Sequence, residues 1–335
     1  MSEKIIKKLQ KSNLLGRGGA DFPTALKWKS VKEEKAEKKF VICNASEGEP
    51  GAFKDGYILE NYPEKVIEGM KIALDFLGEA KGYIYLRKDY FKKFKKKLKK
   101  IIGGLPIDVF EETGGYLCGE ESTLLESLEG KKEEPRIKPP FPTKKGLFGY
   151  PTIINNVETF YWVAMIAEGK YKKNRFYSIS FAHLPGGIIA KEPFRKGVFE
   201  LPEDWSIERI LRETKNLPNF DFFLQVGGGA SGKIITQKEL AEKVCGAGVI
   251  VIYNFDETDP MVLMKEWISF FMRENCDKCV PCREGLYRLA ENLEKNKFDK
   301  KILQDIIFVL EETSFCGLGK GAAMTLKTFT NKILW

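Results

Sequence analysis

Cys276, Cys279 and Cys282 follow the spacing C-x2-C-x2-C, and a fourth cysteine, Cys316, lies 34 positions further on. Three thiolates this close together can wrap one face of a cubane, and a distant fourth closes it. This is how four cysteines hold a [4Fe–4S] cluster. Structural zinc more often takes two separated C-x2-C pairs, and a middle cysteine shared between two such pairs suits it less well. A disulfide framework belongs to small secreted chains rather than to one of 335 residues. A cluster moves single electrons, so the spacing points to redox chemistry. The remaining cysteines, Cys43, Cys118 and Cys245, stand beside apolar strands and loops and read as buried, unreactive thiols.

Three glycine-bearing segments are candidates for anion binding. In Gly16-Arg17-Gly18-Gly19-Ala20, backbone N–H groups can approach a phosphate, with Arg17 and Lys27 as countercharges. The segment has neither the Walker lysine spacing nor G-x-G-x-x-G. Asn44 to Gly51 follows an apolar run and carries Glu47 and Glu49, and Gly119-Glu120-Glu121-Ser122 opens a helix. The plain reading of each acid is a charge at a helix N-terminus, where it complements the dipole. Taken singly, that reading wins. The sole histidine, His183, sits in a loop-like run, which excludes chemistry that needs two histidines and suits a surface or core-edge residue.

The elements that must position these groups follow from periodicity. Phe40–Cys43, Tyr83–Leu86 and Ile107–Phe110 are short apolar runs, and helical patterns separate them. One is Val66, Met70, Ala73, Leu74 and Leu77, with Pro63 and Glu64 in its first turn. The alternation predicts a parallel α/β sheet. Residues 134–150, rich in Pro, Lys and Gly, predict a long irregular loop. From about Tyr177 strands are expected at 178–180, 197–201, 222–226 and 249–253, with a short helix capped by Ser206, forming a compact α+β module. Beyond Asp259 helices are expected at 262–273, 283–295 and 300–311, and from about Ala322. The corresponding domains are 1–172, 173–255 and 256–335.

At about 150 residues per domain the length allows two domains, or three small ones. The balance of 55 Lys plus Arg against 47 Asp plus Glu gives a net charge of +8. Much of the excess lies between Lys92 and Lys100, where Tyr90, Phe91, Phe94, Leu98 and Ile101 interleave at helical spacing. That pattern predicts a solvated helix face rather than a nucleic-acid footprint. No apolar run approaches a membrane span, and Met1–Lys11 lacks a signal peptide's apolar core. The expectation is a cytoplasmic chain, peripheral to a membrane only through a complex.

Together the motifs resemble a family. Gly16 to Trp28 (GRGGADFPTALKW), Asn44 to Asp55, Tyr116 to Glu121, Lys138 to Pro142 and Pro151 to Thr159 match, in order and with the four cysteines, the flavin- and NADH-binding subunit of respiratory complex I. The same module serves as the diaphorase subunit of NAD-linked hydrogenases and formate dehydrogenases. The resemblance implies a Rossmann-like flavin domain, a ubiquitin-like (SLBB-type) module and a C-terminal helical bundle that carries the cluster. It implies FMN against Gly16, Arg17, Gly18, Lys27, Asn44, Glu47, Tyr116, Gly119, Glu120, Asn155 and Asn156. NADH is implied near Phe22, Glu49, Glu121, Lys138 and Phe141, and the [4Fe–4S] cluster on Cys276, Cys279, Cys282 and Cys316. It also implies a thioredoxin-like [2Fe–2S] partner and further iron–sulfur subunits. This chain departs from the family at Asp21 and Ala25 (usually Gly), at Ser46 (usually Asp) and near Ser30, where an aromatic helps sandwich adenine. The function expected is electron input from NADH. Its rivals are a divergent relative that has lost NADH binding and serves electron transfer or structure, and a basic zinc protein that binds nucleic acid.

Overall fold

In the computed structural model, residues 2–182, 194–294 and 299–334 are described. His183 lies outside them. The chain divides into two units, residues 1–48 with 53–175, and residues 49–52 with 176–335.

The first unit is built on four parallel strands. These are β1 (Lys39–Ala45), β2 (Ala80–Leu86), β3 (Ile107–Glu111) and β4 (Thr152–Asn156), in the order β3-β2-β1-β4. The helices around them are α1 (Ser2–Ser12), α2 (Thr24–Glu33), α3 (Lys54–Asn61), α4 (Pro63–Leu77), α5 (Lys88–Ile102), α6 (Glu121–Leu128), the short α7 (Pro142–Lys145) and α8 (Val157–Ala167). The three strands expected are present, each slightly longer. The fourth, β4, escaped notice because Thr152–Asn156 ends in two asparagines, which are poor strand formers. Pro63 opens α4 as expected. On α5 the residues Tyr90, Phe94, Leu98 and Ile102 are buried while Lys92, Lys93, Lys96, Lys97, Lys99 and Lys100 are exposed, so the lysine run is a solvated face. The stretch 134–150 is less irregular than expected, since it contains α7 and a single 3-10 turn at Leu147–Gly149. Gly69 lets α4 meet α8 backbone to backbone, because a Cβ there would stand 2.0 Å from the Phe160 carbonyl oxygen.

The strand order matters for binding. From β1 the chain proceeds to β2 on one side, while β4 closes on the other. A crevice therefore opens at the carboxyl ends of β1 and β4, the usual ligand position in open parallel sheets.

The second unit carries β5 (Asn174–Phe181), β6 (Gly197–Pro202), β7 (Phe222–Val226), β8 (Lys233–Thr236) and β9 (Val249–Asn254) in the order β6-β5-β9-β7-β8. β5 and β9 are parallel neighbours, and β7 is antiparallel to both β8 and β9. α9 (Ile207–Glu213), capped by Ser206 Oγ, places Ile207, Ile210 and Leu211 against Tyr177, Ile179, Leu224 and Ile250. This order, with the first and last strands paired in parallel and one helix on the sheet, agrees with a ubiquitin-like topology. Four helices follow: α10 (Pro260–Glu274), α11 (Leu286–Glu294), α12 (Lys300–Thr313) and α13 (Gly317–Phe329). Trp267 and Phe329 meet edge to face at 5.0 Å, and Phe329 also approaches Phe223 of β7. α13 begins five residues earlier than expected, because Gly317, Gly319 and Gly321 look like loop in sequence yet lie within the helix. Among the described residues no helix is long and apolar enough to cross a membrane.

Candidate functional site

The register of β1 and β4 aligns Cys43 with Asn155 and Asn44 with Asn156, so the three predicted asparagines sit side by side at the carboxyl ends of the two strands. Each side chain has a distinct task. Asn44 Nδ2 donates to the Gly119 carbonyl (2.9 Å), while Asn44 Oδ1 accepts from the Ser46 amide (3.1 Å). The loop after β1 is thereby tied to the 3-10 turn Tyr116–Gly119. Asn155 Oδ1 accepts from the Trp28 indole at 2.9 Å, which anchors α2. Asn156 caps α8 by accepting from the Glu158 amide (2.9 Å) and donates to Asp55 at 2.5 Å.

Glycines let the backbone segments around these asparagines pack closely. A Cβ at Gly18 would stand 3.2 Å from Asn156 Cβ, one at Gly48 would stand 3.0 Å from Tyr116 Cα, and one at Gly119 would stand 3.1 Å from the Ser46 carbonyl. Arg17, expected as a phosphate countercharge, is held by partners within the protein. It is buried, its amide donates to Thr159 Oγ1 (2.9 Å), and its guanidinium donates to the Tyr171 hydroxyl (3.2 Å). Asp21 adopts a left-handed backbone with φ 48°.

A cluster of charge lies beneath this cradle. Lys54, Asp55, Glu158 and Glu47 are all buried. Lys54 Nζ donates to Asp55 (2.6 Å) and Asn156 Oδ1 (3.1 Å) and pairs with Glu158 at 3.2 Å. Glu47 accepts from the amides of Asp55 (3.1 Å) and Gly56 (3.2 Å) and from the Tyr90 hydroxyl (2.7 Å). Burial, and then the adjacent Asp55 carboxylate, push the Glu47 carboxyl up to about 7. Burial also raises Asp55. Lys54 is raised against the effect of burial by Asp55, Glu158 and Glu47. One ammonium cannot balance three carboxylates in a low-dielectric interior, and retaining a proton on the acid pair relieves the excess.

The acids at the start of α6 are paired as well. Glu120 Oε2 accepts from the amides of Ser122 and Thr123, both at 2.9 Å, which is the capping role that a single motif suggested. Its other oxygen and Glu121 share Lys138 Nζ at 2.7 and 2.8 Å, and Lys27 lies 3.8 Å from Glu121. Burial opposes the charge on Lys138, but Glu120 and Glu121 raise its pKa. Burial lowers that of Lys27, with Glu121 opposing. Phe22 and Phe141 are exposed aromatics. Ser46, where the family has aspartate, donates to the buried Glu112 at 2.6 Å. An aspartate there would set two carboxylates together.

Several of these residues were missed from sequence. Lys54, Asp55, Glu112 and Thr159 drew no attention as individuals, and neither did Glu158, while Tyr90 was read only as part of the apolar face of its helix. A usable signal existed: α8 reads VETFYWVAMIA, where Glu158 is the lone charge on an otherwise apolar helix, and such a residue must be paired when buried.

In the second unit, Glu49 accepts from the amides of Ala230 (2.8 Å) and Ser231 (2.7 Å). Gly228 permits this, since a Cβ there would stand 2.2 Å from Glu49 Oε1. Cys276, Cys279 and Cys282 lie between α10 and α11, and Cys316 lies between α12 and α13, at the N-cap of α13. Cys279 and Cys282 are buried, and Cys276 and Cys316 are partly so. Burial raises the Cys282 thiol, and Cys279 and Cys316 add to it. Cys279 and Cys316 therefore both lie within electrostatic reach of Cys282. Among the described residues no three His, Cys, Asp or Glu side chains converge on a point for a single metal ion. A cubane presents four separate irons to its ligands, and four thiols with mixed exposure are a fitting donor set for it. Cys43 and Cys118 are buried as expected, but Cys245 is exposed. It precedes a turn in which Gly246 and Gly248 have positive φ.

Comparison with known proteins gives matches at both ends of the chain. Residues 9–165 match a family model described as the Nuo51 FMN-binding domain, and residues 262–333 match the NADH-ubiquinone oxidoreductase-F iron-sulfur binding region. The chain is 35% identical to an F-type subunit of the NADH-quinone oxidoreductase of Rhizobium meliloti, with 97% of this chain and 86% of that protein covered. It is 34% identical to the alpha subunit of the NAD-reducing hydrogenase HoxS of Cupriavidus necator, covering 98% of this chain and 59% of that subunit. A crystal structure of an NAD+-reducing [NiFe]-hydrogenase superposes with a TM-score of 0.85 at 29% identity, over 99% of this chain and 61% of that one. The chain thus spans about three fifths of the hydrogenase chains it matches.

Proposed function

The chain belongs to the family of the FMN- and iron–sulfur-binding subunits of NADH-quinone oxidoreductases, and from that premise we propose how its own residues divide the work of electron input from NADH. FMN, when bound, exchanges an electron pair with nicotinamide and releases it as single electrons, which a [4Fe–4S] cluster can carry away. The residues proposed to hold FMN are Gly16, Gly18, Lys27, Asn44, Glu47, Tyr116, Gly119, Glu120, Asn155 and Asn156. Arg17 supports the loop from within. The observation that carries this reading is the alignment of Asn44 and Asn156 at the strand ends, closed over by Gly18 and Gly119. A side chain at either glycine would crowd Asn156 or the Ser46 carbonyl, and a flavin phosphate needs accessible backbone donors.

NAD(H) is proposed near Phe22, Glu49, Glu121, Lys138 and Phe141. Exposed aromatic faces suit stacking on a planar base. Lys138 and Lys27 offset the charge of Glu121, leaving a carboxylate able to accept from a ribose hydroxyl. Its repulsion of a 2′-phosphate is correspondingly weaker than that of a bare acid.

The cluster is proposed on Cys276, Cys279, Cys282 and Cys316. Beside these cysteines Val280 and Phe315 are exposed, as are Tyr287, Phe308 and Met324 on the neighbouring helices. An apolar face next to an electron-carrying centre is suited to a partner that takes the electrons. We propose that further iron–sulfur subunits, among them a thioredoxin-like [2Fe–2S] protein, complete the complex. The functional segments proposed are 1–172 for flavin and nucleotide, 173–255 for an SLBB-type module and 256–335 for the cluster.

Anaerobic purification with flavin and iron analysis, followed by titration with NADH, tests the proposal. Bound flavin and iron with NADH-dependent bleaching of the flavin band is expected. Flavin and iron without bleaching would instead mark a relative that has lost nicotinamide binding.

A further inference from the structure

Ser314 ends α12 two residues before Cys316, and only 7% of its surface is exposed. Its hydroxyl oxygen makes no hydrogen bond of ordinary distance and angle within the protein, and the group it acts on is the Cys282 sulfur. The neighbouring Thr313 behaves differently, donating to the Val309 carbonyl one turn back at 2.7 Å. A buried hydroxyl left unpaired costs about 1–3 kcal/mol, so such a group implies an acceptor.

The surroundings identify that acceptor. A Cβ built on Gly319 would stand 2.1 Å from Ser314 Oγ and 2.8 Å from Cys282 Sγ. The hydroxyl and the sulfur therefore occupy one small space, which exists because residue 319 has no side chain. Cys282 is itself buried, so no solvent competes for its sulfur.

Building on the cluster assignment above, we propose that Ser314 is a positioning and tuning residue whose hydroxyl donates to the Cys282 sulfur once that sulfur ligates the cluster. A hydrogen bond to a negatively charged acceptor is roughly twice as strong as a neutral one. Reduction adds an electron to the cluster and increases the charge on its sulfurs. The bond therefore stabilises the reduced form more than the oxidised form and holds the reduction potential up. Ser314 does not ligate iron in this scheme. Gly319 is the second part of the device, since any side chain there would separate the pair.

The test is an EPR-monitored redox titration of the whole chain with its cluster in place, alongside iron analysis. Ser314→Ala is expected to keep its iron while the oxidised-to-reduced ratio at fixed potential rises about tenfold. That corresponds to a fall of about 59 mV for a one-electron couple. Ser314→Thr keeps the hydroxyl and is expected to stay at the unaltered potential. An iron-replete Ser314→Ala protein with unchanged potential would overturn the proposal, as would a threonine variant that falls as far as alanine. Should the alanine variant shed its iron, the unaltered chain provides the answer. Its Fe–S stretching bands are expected to shift in D2O, and their failure to move would count against the bond. Absence of any cluster in the unaltered chain would overturn the cluster assignment itself, a separate result.

Discussion

Cys276, Cys279, Cys282 and Cys316 are proposed as ligands on their own chemistry, whereas Asn44, Asn156 and Gly18 are proposed as a binding surface only because a parallel sheet brings them together. At the cysteine site the spacing alone restricts the ligand, because soft thiolates in a three-plus-one pattern suit few centres. In the cradle no residue type is diagnostic, and each position has a plain structural explanation. Its specificity comes from register, with Asn44 beside Asn156, and from glycines that let backbone meet side chain. The two sites also differ in how they handle charge. The proposed cysteine site would supply negative ligands to balance a metal centre. The cradle rests on a buried set of three acids and one lysine that must balance itself.

The largest effects should separate these designs. Cys279→Ala is expected to remove most of the bound iron and loosen the helices that follow α10, because ligation and local folding are linked. Flavin content should fall much less, and iron and flavin analysis of the same preparation reads both. Undiminished iron would break the cluster assignment. Lys54→Met makes the opposite cut. It strands Asp55 and Glu158 in the interior, and removing one partner of a buried ion pair typically costs about 3–5 kcal/mol. A large drop in the urea midpoint with loss of flavin is expected, and an unchanged midpoint would show that the cradle does not depend on its buried charges.

Legibility followed the same divide. The cysteine spacing, the three apolar strands and the lysine-faced helix were readable because periodicity and ligand chemistry act locally. Phe94 and Leu98 announce a buried stripe without knowledge of the rest of the fold. The role of Asn156 was available only by resemblance, since nothing local distinguishes a helix cap from a capping residue that also meets Asp55 and Lys54. Strand β4 and the burial of Lys54 depend on residues about a hundred positions away. Arg17 shows the same limit: beside glycines it reads as a phosphate countercharge, and neither its burial nor its bond to Tyr171 is visible in the local pattern. Glu158 is the exception, a lone charge in an apolar helix that could have been flagged.

A subtler effect concerns pH. In the folded chain Glu47 holds its proton up to about 7, against an ordinary value of 4.5. The folded form binds that proton more tightly than the unfolded form. The associated stability is therefore fully present below about pH 4.5 and is lost as the pH rises through about 7. Over that window the loss is on the order of 3 kcal/mol, at roughly 1.4 kcal/mol per pKa unit. Glu47→Gln carries no titrating proton, so its unfolding free energy should be flatter between pH 4.5 and 7.5, with a relative gain at the upper end. Identical pH profiles for the two proteins would remove Glu47 from the buried proton store.

The smallest expected change tests the glycine loop itself. Asp21 has φ 48°, a left-handed conformation that glycine adopts without strain and aspartate tolerates better than most residues. The geometry explains why glycine is usual at this position in the family that the chain resembles. Asp21→Gly relieves that strain but also frees the unfolded chain. The two contributions are each about 1 kcal/mol or less and oppose one another, so little net change in stability is expected. The charge is a different matter. Asp21 adjoins Phe22, which is proposed to meet NAD(H), and a carboxylate there opposes the phosphates of the dinucleotide, so its removal should lower the KM for NADH several-fold. A tenfold change corresponds to about 1.4 kcal/mol, within the range of a like-charge contact at a partly screened site. Flavin content should not change, because the FMN contacts proposed are made by other residues. Steady-state kinetics with NADH, flavin analysis and a urea melt on one preparation distinguish the cases. A lower KM at constant stability assigns the cost of Asp21 to its charge. An unchanged KM with altered stability confines its role to the backbone turn, and places nucleotide recognition away from the tip of this loop.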